Sequence, residues 1–289
     1  MNKVVSRFAP SPTGPLHLGH AYSALLAHDY ARSRGGAFLL RIEDIDPGRA
    51  RAEHVAHIMQ DLAWLGIGWD GNAVAQSARL HIYARALDRL KAQGHLYPCF
   101  CTRAAIAAEI AASASAPHGP DGALYPGTCR TLAPEERDRR MEREPHAWRL
   151  DTAKAAAGAG PLYWYDGDTE VLAEPEAFGD VVLARKDAPT SYHLAVTVDD
   201  AAQGVTDVVR GRDLYAATDV HRLLQALLGL PTPAYHHHPL LLDQAGRRLA
   251  KRHGAPTLAD LRRAGADGRA LAADLLEGRL PAGFGGLEA

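Results

Sequence analysis

Hydrophobic positions change rhythm several times along the first hundred residues. VVSRF (4–8) is a short, mostly apolar run of strand length. A loop to Pro15 follows, and from Leu18 to about Arg34 the apolar residues recur at the three- and four-residue spacing of a helix. AFLLRI (37–42) reads as a buried strand, and residues 50–65 and 77–93 return to the helical period. Strand, helix and strand joined by glycine-rich turns predict an α/β fold with a Rossmann-like, doubly wound parallel sheet covered by helices.

The middle of the chain breaks this rhythm. Residues 104–123 are alanine-rich and then irregular, residues 130–149 mix six arginines with five acids as a solvated helix would, and AKAAAGAG in the 153–160 region reads as a flexible loop. An inserted subdomain is therefore expected at 98–190, between catalytic halves at 1–97 and 191–289. The sheet pattern is expected to resume at YHLAVTVDD (192–200) and GVTDVVRG (204–211). A helix at about 217–229, a strand at HPLLLD (238–243) and a short helical tail complete the reading.

Composition narrows the class. No stretch approaches the roughly 20 apolar residues of a membrane span, and the N-terminus lacks a secretory pattern, so a soluble cytoplasmic protein with no membrane partner is expected. Formal charge is −2, which excludes a chain basic throughout, but Arg247 to Arg269 carries seven basic residues against two aspartates. Lysines are scarce, five among 32 basic residues. Cys99, Cys101 and Cys129 cannot all pair with one another, and a local cluster of thiols in a cytosolic chain points to metal before disulfide. Thiolates suit zinc in a closed structural site. Three sulfurs leave one position, for which chemistry alone nominates His118 or His95.

RFAPSPTGPLHLGH (7–20) sets a turn-rich loop between a first strand and a helix start. Such a junction is where doubly wound folds bind ligands, because free N–H groups and the helix dipole favour phosphate. Gly14 and Gly19 permit close backbone approach. His17 and His20, three apart, share one face of the first turn, where they serve either as phosphate ligands or as ordinary capping residues. HHH (236–238) does not read as a metal site, since adjacent strand residues face opposite ways.

These motifs resemble the signature of class I aminoacyl-tRNA synthetases, specifically the glutamyl group. RIEDIDPGR (41–49), LGIGWDG (65–71), the run from Gln76 to Cys101, VDDAAQGVTDVVRGRDL (198–214) and RRLAKR (247–252) extend the likeness in order to about residue 255. The resemblance implies a class I catalytic domain with an inserted zinc-bearing subdomain. It implies that Arg7 and Arg210 contact the carboxylates of L-glutamate, that Ser11 and Glu43 hold its amino group, and that Tyr192 adds a hydroxyl. Read alone, Glu43 could instead be a structural partner of Arg41. The resemblance further implies that His17, Gly19, His20, Arg248, Leu249 and Lys251 bind ATP with its Mg²⁺, with His17, His20 and Lys251 catalytic. It nominates Tyr125 as the fourth zinc ligand beside Cys99, Cys101 and Cys129.

RRLAKR departs from the family's usual lysine loop at two places. Arg248 keeps a charge, while Ala250 removes a hydroxyl. Only 37 residues follow Arg252, which predicts no anticodon-binding domain. The likeness is therefore to the small members of the group, which activate glutamate without tRNA and pass it to the cyclopentenediol of queuosine in tRNA(Asp). A truncated enzyme charging a tRNA 3′ end and a non-catalytic RNA-binding paralogue are the alternatives.

Overall fold

The structure, a computed structural model, describes residues 3–112, 118–120, 122–243, 246–247, 249, 256–281 and 284–287. Its first unit is β1 (Val5–Phe8), α1 (Leu18–Ser33), β2 (Ala37–Ile42), α2 (Ala52–Trp64) and β3 (Val74–Ala75). β1 pairs in parallel with β2, and β2 with β3. The helical period called from Leu18 exists because Leu18, Ala21, Ala24, Leu25, Ala27 and Ala31 turn one face onto this sheet. α3 (Leu80–Ala92) leads to β4 (Leu96–Cys99) and α4 (Arg103–Ala112).

The middle region is more regular than its composition promises. It holds β5 (His118–Gly119), β6 (Gly122–Ala123), α5 (Pro134–Met141), β7 (Ala147–Leu150), α6 (Thr152–Ala159), β8 (Tyr163–Asp166), β9 (Thr169–Leu172) and β10 (Val182–Ala184). β7 lies antiparallel between β4 and β10. The expected solvated helix at 130–149 is α5 alone, with no buried residue, and the end of that stretch is strand. The expected loop at 153–160 is a helix. Alanine is the best helix former, Asp151 caps the first turn by accepting the Lys154 N–H, and Gly160 ends it.

The last part contains α7 (Tyr192–Ala202), β11 (Asp207–Gly211), α8 (Ala217–Leu228), β12 (Ala234–His238), β13 (Leu241–Asp243), α9 (Leu258–Arg263), α10 (Gly268–Leu276) and β14 (Phe284–Leu287). YHLAVTVDD is thus helix α7, not strand. Leu194 to Asp200 are all buried, so packing on every side overrides the strand preference of Val196, Thr197 and Val198. Gly229 closes α8 in the left-handed conformation at φ 60°. HPLLLD is divided between the end of β12 and β13, with Pro239 and Leu240 at the break.

β11, β12 and β8 are mutually parallel, and β9 returns antiparallel at the edge. β11 also lies beside β1: the Thr206 N–H donates to the Val5 carbonyl at 2.9 Å, and the Val5 N–H to the Thr206 hydroxyl at 2.8 Å. The strand order is therefore β3-β2-β1-β11-β12-β8-β9. The chain leaves β1 and β11 toward opposite sides, and ligands of open α/β sheets bind beyond the carboxyl ends at such a switch point. One core packs α1, α2 and α10 onto the first strands, and a second gathers α3, α7 and α8. The tail helices are docked: Arg262 on α9 donates to the buried Asp61 of α2 at 2.8 Å. No helix among the described residues is long and apolar enough to cross a membrane.

Candidate active site

Beyond the ends of β1 and β11 opens a cleft of about 770 Å³. Arg7, Ser11, His17, Gly19, His20, Glu43, Tyr192, Arg210 and Leu249 all line it. Residues drawn from five separate stretches of sequence thus meet in one place. The cleft also takes in Tyr22, Asp213 and His238, to which the sequence reading gave no role. At Gly211, where β11 ends, a Cβ would lie 2.5 Å from the Asp213 carboxylate and 2.8 Å from Leu240 Cδ2, so a side chain there would require both to shift.

His17 is the N-cap of α1. Its Nδ1 accepts the Gly19 N–H at 3.1 Å, while its own N–H donates to His20 Nδ1 at 3.2 Å. The rings are tilted at 34° to one another with centroids 3.8 Å apart. The bonds that cap the helix use Nδ1 of each ring.

At the inner wall, Arg7 donates to both carboxylate oxygens of Asp200. Fully buried Arg41 also donates to Asp200, at 2.7 Å, and to Glu43 at 3.4 Å. Burial opposes the charge of Asp200, but Arg7 and Arg41 outweigh it and hold its carboxyl below the usual range. At Glu43 burial prevails over the same two arginines, and the carboxyl is pushed up. Glu43 therefore does partner Arg41, as its neighbourhood in RIEDID allowed, and it faces the cleft as well.

Arg210, on β11, is only 5% exposed. Tyr192, at the start of α7, places its hydroxyl 3.5 Å from Arg210 Nη1. Burial pushes the Tyr192 hydroxyl up to about 12, so it remains a donor at neutral pH. The three consecutive histidines part ways, as alternation on a strand demands. His236 meets Asp207, His237 meets Arg210 and Asp166, and His238 meets Ser23 at the cleft.

Arg248 and Lys251 lie outside the described residues. Their neighbours in sequence are placed. Leu249 bonds to Leu241 and lines the cleft, and Thr257 forms an antiparallel bridge with His17.

A second cluster joins the Sγ atoms of Cys99, Cys101 and Cys129, all within 4.8 Å of one another. The Tyr125 hydroxyl lies 3.5 Å from Sγ of both Cys99 and Cys101 and accepts the Cys129 N–H at 2.9 Å. Three sulfurs and a phenol oxygen at such spacings can close around one ion of zinc's size, whose bonds to sulfur are about 2.3 Å. The Arg149 guanidinium lies over the Tyr125 ring, 3.9 Å from its centroid. His95 is not in the cluster, and the His118 side chain lies outside what is described.

Residues 3–274 match the family of class I tRNA synthetases (E and Q), catalytic domain. Glutamyl-Q tRNA(Asp) synthetase of Rhodobacter capsulatus is 52% identical over 271 residues, covering 91% of this chain and 96% of that one. The protein of the same name from Symbiobacterium thermophilum is 46% identical over 280 residues, covering 90% and 81%. Among solved structures, glutamate-tRNA synthetase from Elizabethkingia anophelis superposes with a TM-score of 0.81 at 28% identity, covering 97% of this chain and 63% of that one. A glutamate tRNA ligase from Elizabethkingia meningosepticum, solved with its amino acid, superposes with a TM-score of 0.73 at 30% identity, covering 88% and 53%. The chain thus spans less than two thirds of either of these longer enzymes.

Proposed function

The chain belongs to the glutamyl-Q tRNA(Asp) synthetases, within the class I catalytic-domain family for E and Q, and on that premise we propose that it activates glutamate with ATP and transfers it to queuosine in tRNA(Asp). The observation that carries the reading is the cleft itself, where arginines, a carboxylate and a tyrosine face a histidine-bearing helix start. Glutamate needs cationic partners for two carboxylates and an anionic one for its ammonium. Arg7 and Arg210 supply the first, Glu43 with Ser11 the second, and Tyr192 donates a further hydrogen bond.

In the first step a glutamate α-carboxylate oxygen attacks the α-phosphorus of ATP, the bond to the bridging oxygen breaks, and pyrophosphate leaves. No protein nucleophile takes part. His17, Gly19 and His20 at the α1 N-terminus hold the phosphates, and Arg248, Leu249 and Lys251 of the lysine loop supply the remaining ATP contacts. Mg²⁺ accompanying ATP offsets part of the phosphate charge. Catalysis is then positioning plus charge stabilisation. In the second step a cyclopentenediol hydroxyl attacks the acyl carbon and AMP leaves. Arginines in the 247–269 segment contact nearby tRNA phosphates.

Residues 98–190 form the insert between catalytic halves 1–97 and 191–289. The division follows chain order rather than sheets, since β8 and β9 extend the catalytic sheet. Zinc held by Cys99, Cys101, Cys129 and Tyr125 ties β4 to the following loop. The expected site of action is the cytoplasm. Exchange of labelled pyrophosphate into ATP tests the first step. It should require glutamate and proceed without tRNA, whereas glutamine should serve poorly because it leaves an arginine unpaired. No exchange with the isolated enzyme would refute this step.

A further inference from the structure

Arg210 is a buried guanidinium with an unusual set of partners. Its Nε donates to His237 Nε2 at 3.1 Å, and its Nη2 donates to the Thr218 hydroxyl at 2.7 Å and the Leu214 carbonyl at 3.1 Å. Its Nη1 has the two longest contacts, 3.4 Å to His221 Nδ1 and 3.5 Å to the Tyr192 hydroxyl. Every one of these acceptors is neutral. Arg7 and Arg41 are the contrast, since both are paired with Asp200. The Asp166 carboxylate lies behind His237, 3.1 Å from its Nδ1, and so reaches Arg210 only through the ring.

An arginine has no acceptor and does not lose its proton in proteins. Each imidazole nitrogen facing it must therefore carry the lone pair. For His237 this puts the proton on Nδ1, which donates to Asp166. For His221 it puts the proton on Nε2, which then donates to His193 Nδ1 at 3.2 Å. His193 must in turn hold its proton on Nε2. Burial, followed by the charge of Arg210, lowers His237 to about 4 and takes His221 well below the ordinary value, so both rings are neutral at physiological pH.

We propose that His221 and His237 are positioning residues for glutamate binding: each is locked in one neutral tautomer and fixes the Arg210 guanidinium as an acceptor without neutralising it, leaving its charge and the loosely held Nη1 for a substrate carboxylate. A carboxylate in either place would fix the arginine equally well and cancel the charge that the substrate needs. This rests on the reading of glutamate as the amino acid bound in the cleft.

The test pairs His221→Phe with His221→Gln in glutamate-dependent pyrophosphate exchange. Hydrogen bonds to charged groups contribute about 1.5–3 kcal/mol, so the phenylalanine variant should raise KM for glutamate by about ten- to a hundredfold with kcat and KM for ATP little changed. Glutamine, whose amide oxygen can accept from Nη1, should restore most of the affinity. An unchanged KM for glutamate in His221→Phe would overturn the proposal. A second measurement is independent of folding of the variants and of the substrate: histidine ¹⁵N spectra of the wild-type protein. They should show His221 protonated at Nε2 and His237 at Nδ1 at neutral pH, and an imidazolium or the opposite tautomer at either would also overturn it. Absence of exchange in the wild-type enzyme would instead refute the glutamate reading, with the spectra still deciding the tautomers.

Discussion

Arg7 and Asp200 stand 193 residues apart in sequence and meet in a two-point ion pair of 3.1 and 3.3 Å, both side chains almost wholly buried. Asp200 thereby fixes a cleft-lining arginine from the far end of α7, and Arg41 also donates to Asp200. Breaking a buried pair by removing one partner costs about 3–5 kcal/mol. Asp200→Asn should therefore lower the urea midpoint and raise KM for glutamate. Unchanged unfolding and kinetics together would show that this pair neither supports the fold nor aims Arg7.

Acid should weaken glutamate binding before it unfolds the protein. The Glu43 carboxyl is raised, chiefly by burial, so it takes up a proton above the ordinary value of 4.5, and the hold on the substrate ammonium proposed for it should be lost with that proton. Asp200 is lowered, so its stabilising contribution is complete above the ordinary 3.8 and is lost only as pH falls through its depressed folded value. KM for glutamate should rise on acidification while far-UV circular dichroism stays native, and Glu43→Gln should show a high KM that no longer follows pH through this range. Loss of binding only in step with unfolding would contradict the assignment.

Much of this cleft was legible in the chain. His17 and His20 were marked by their spacing at a helix start, whereas Arg7, Glu43 and Arg210 were marked by the resemblance of their motifs to the glutamyl group; all five line the cleft. Asp200 as the anchor of Arg7 was not legible, because no local period reports a contact across 193 residues. The helix α7 was misread for a related reason: its β-branched residues are buried on all sides, and that burial is tertiary. His238 carried a usable signal, the carboxyl end of a parallel strand, but HHH was weighed only as a metal site and set aside. The α6 helix was hidden by treating alanine and glycine as looseness when Asp151 marks a helix start.

Lys251 and His20 are expected to act on turnover. Replacing either with alanine should depress kcat for pyrophosphate exchange by about 10²-fold or more, the scale of a lost charge-stabilising group, with a smaller change in KM for glutamate. An effect confined to KM would assign both to ground-state binding.

Metal analysis of purified protein should give one zinc per chain. Cys101→Ser should lose the metal, and the region of β4 and β7 should become sensitive to proteolysis. Tyr125→Phe keeps three thiolates and should bind zinc more weakly. Full zinc retention in Cys101→Ser would exclude the cluster as the site.

The acceptor is the centre of the account, and the position of the label on tRNA tests it most directly. Labelled glutamate is offered with tRNA(Asp) bearing queuosine, with tRNA(Asp) lacking it, with tRNA(Glu), and with queuosine tRNA(Asp) whose 3′ diol has been destroyed while the queuosine diol was protected. Digestion to nucleosides then locates the ester. The label should appear on queuosine alone, require that base, and be indifferent to the 3′ end. Label at the 3′ terminus of tRNA(Glu), with none on queuosine, would contradict the account.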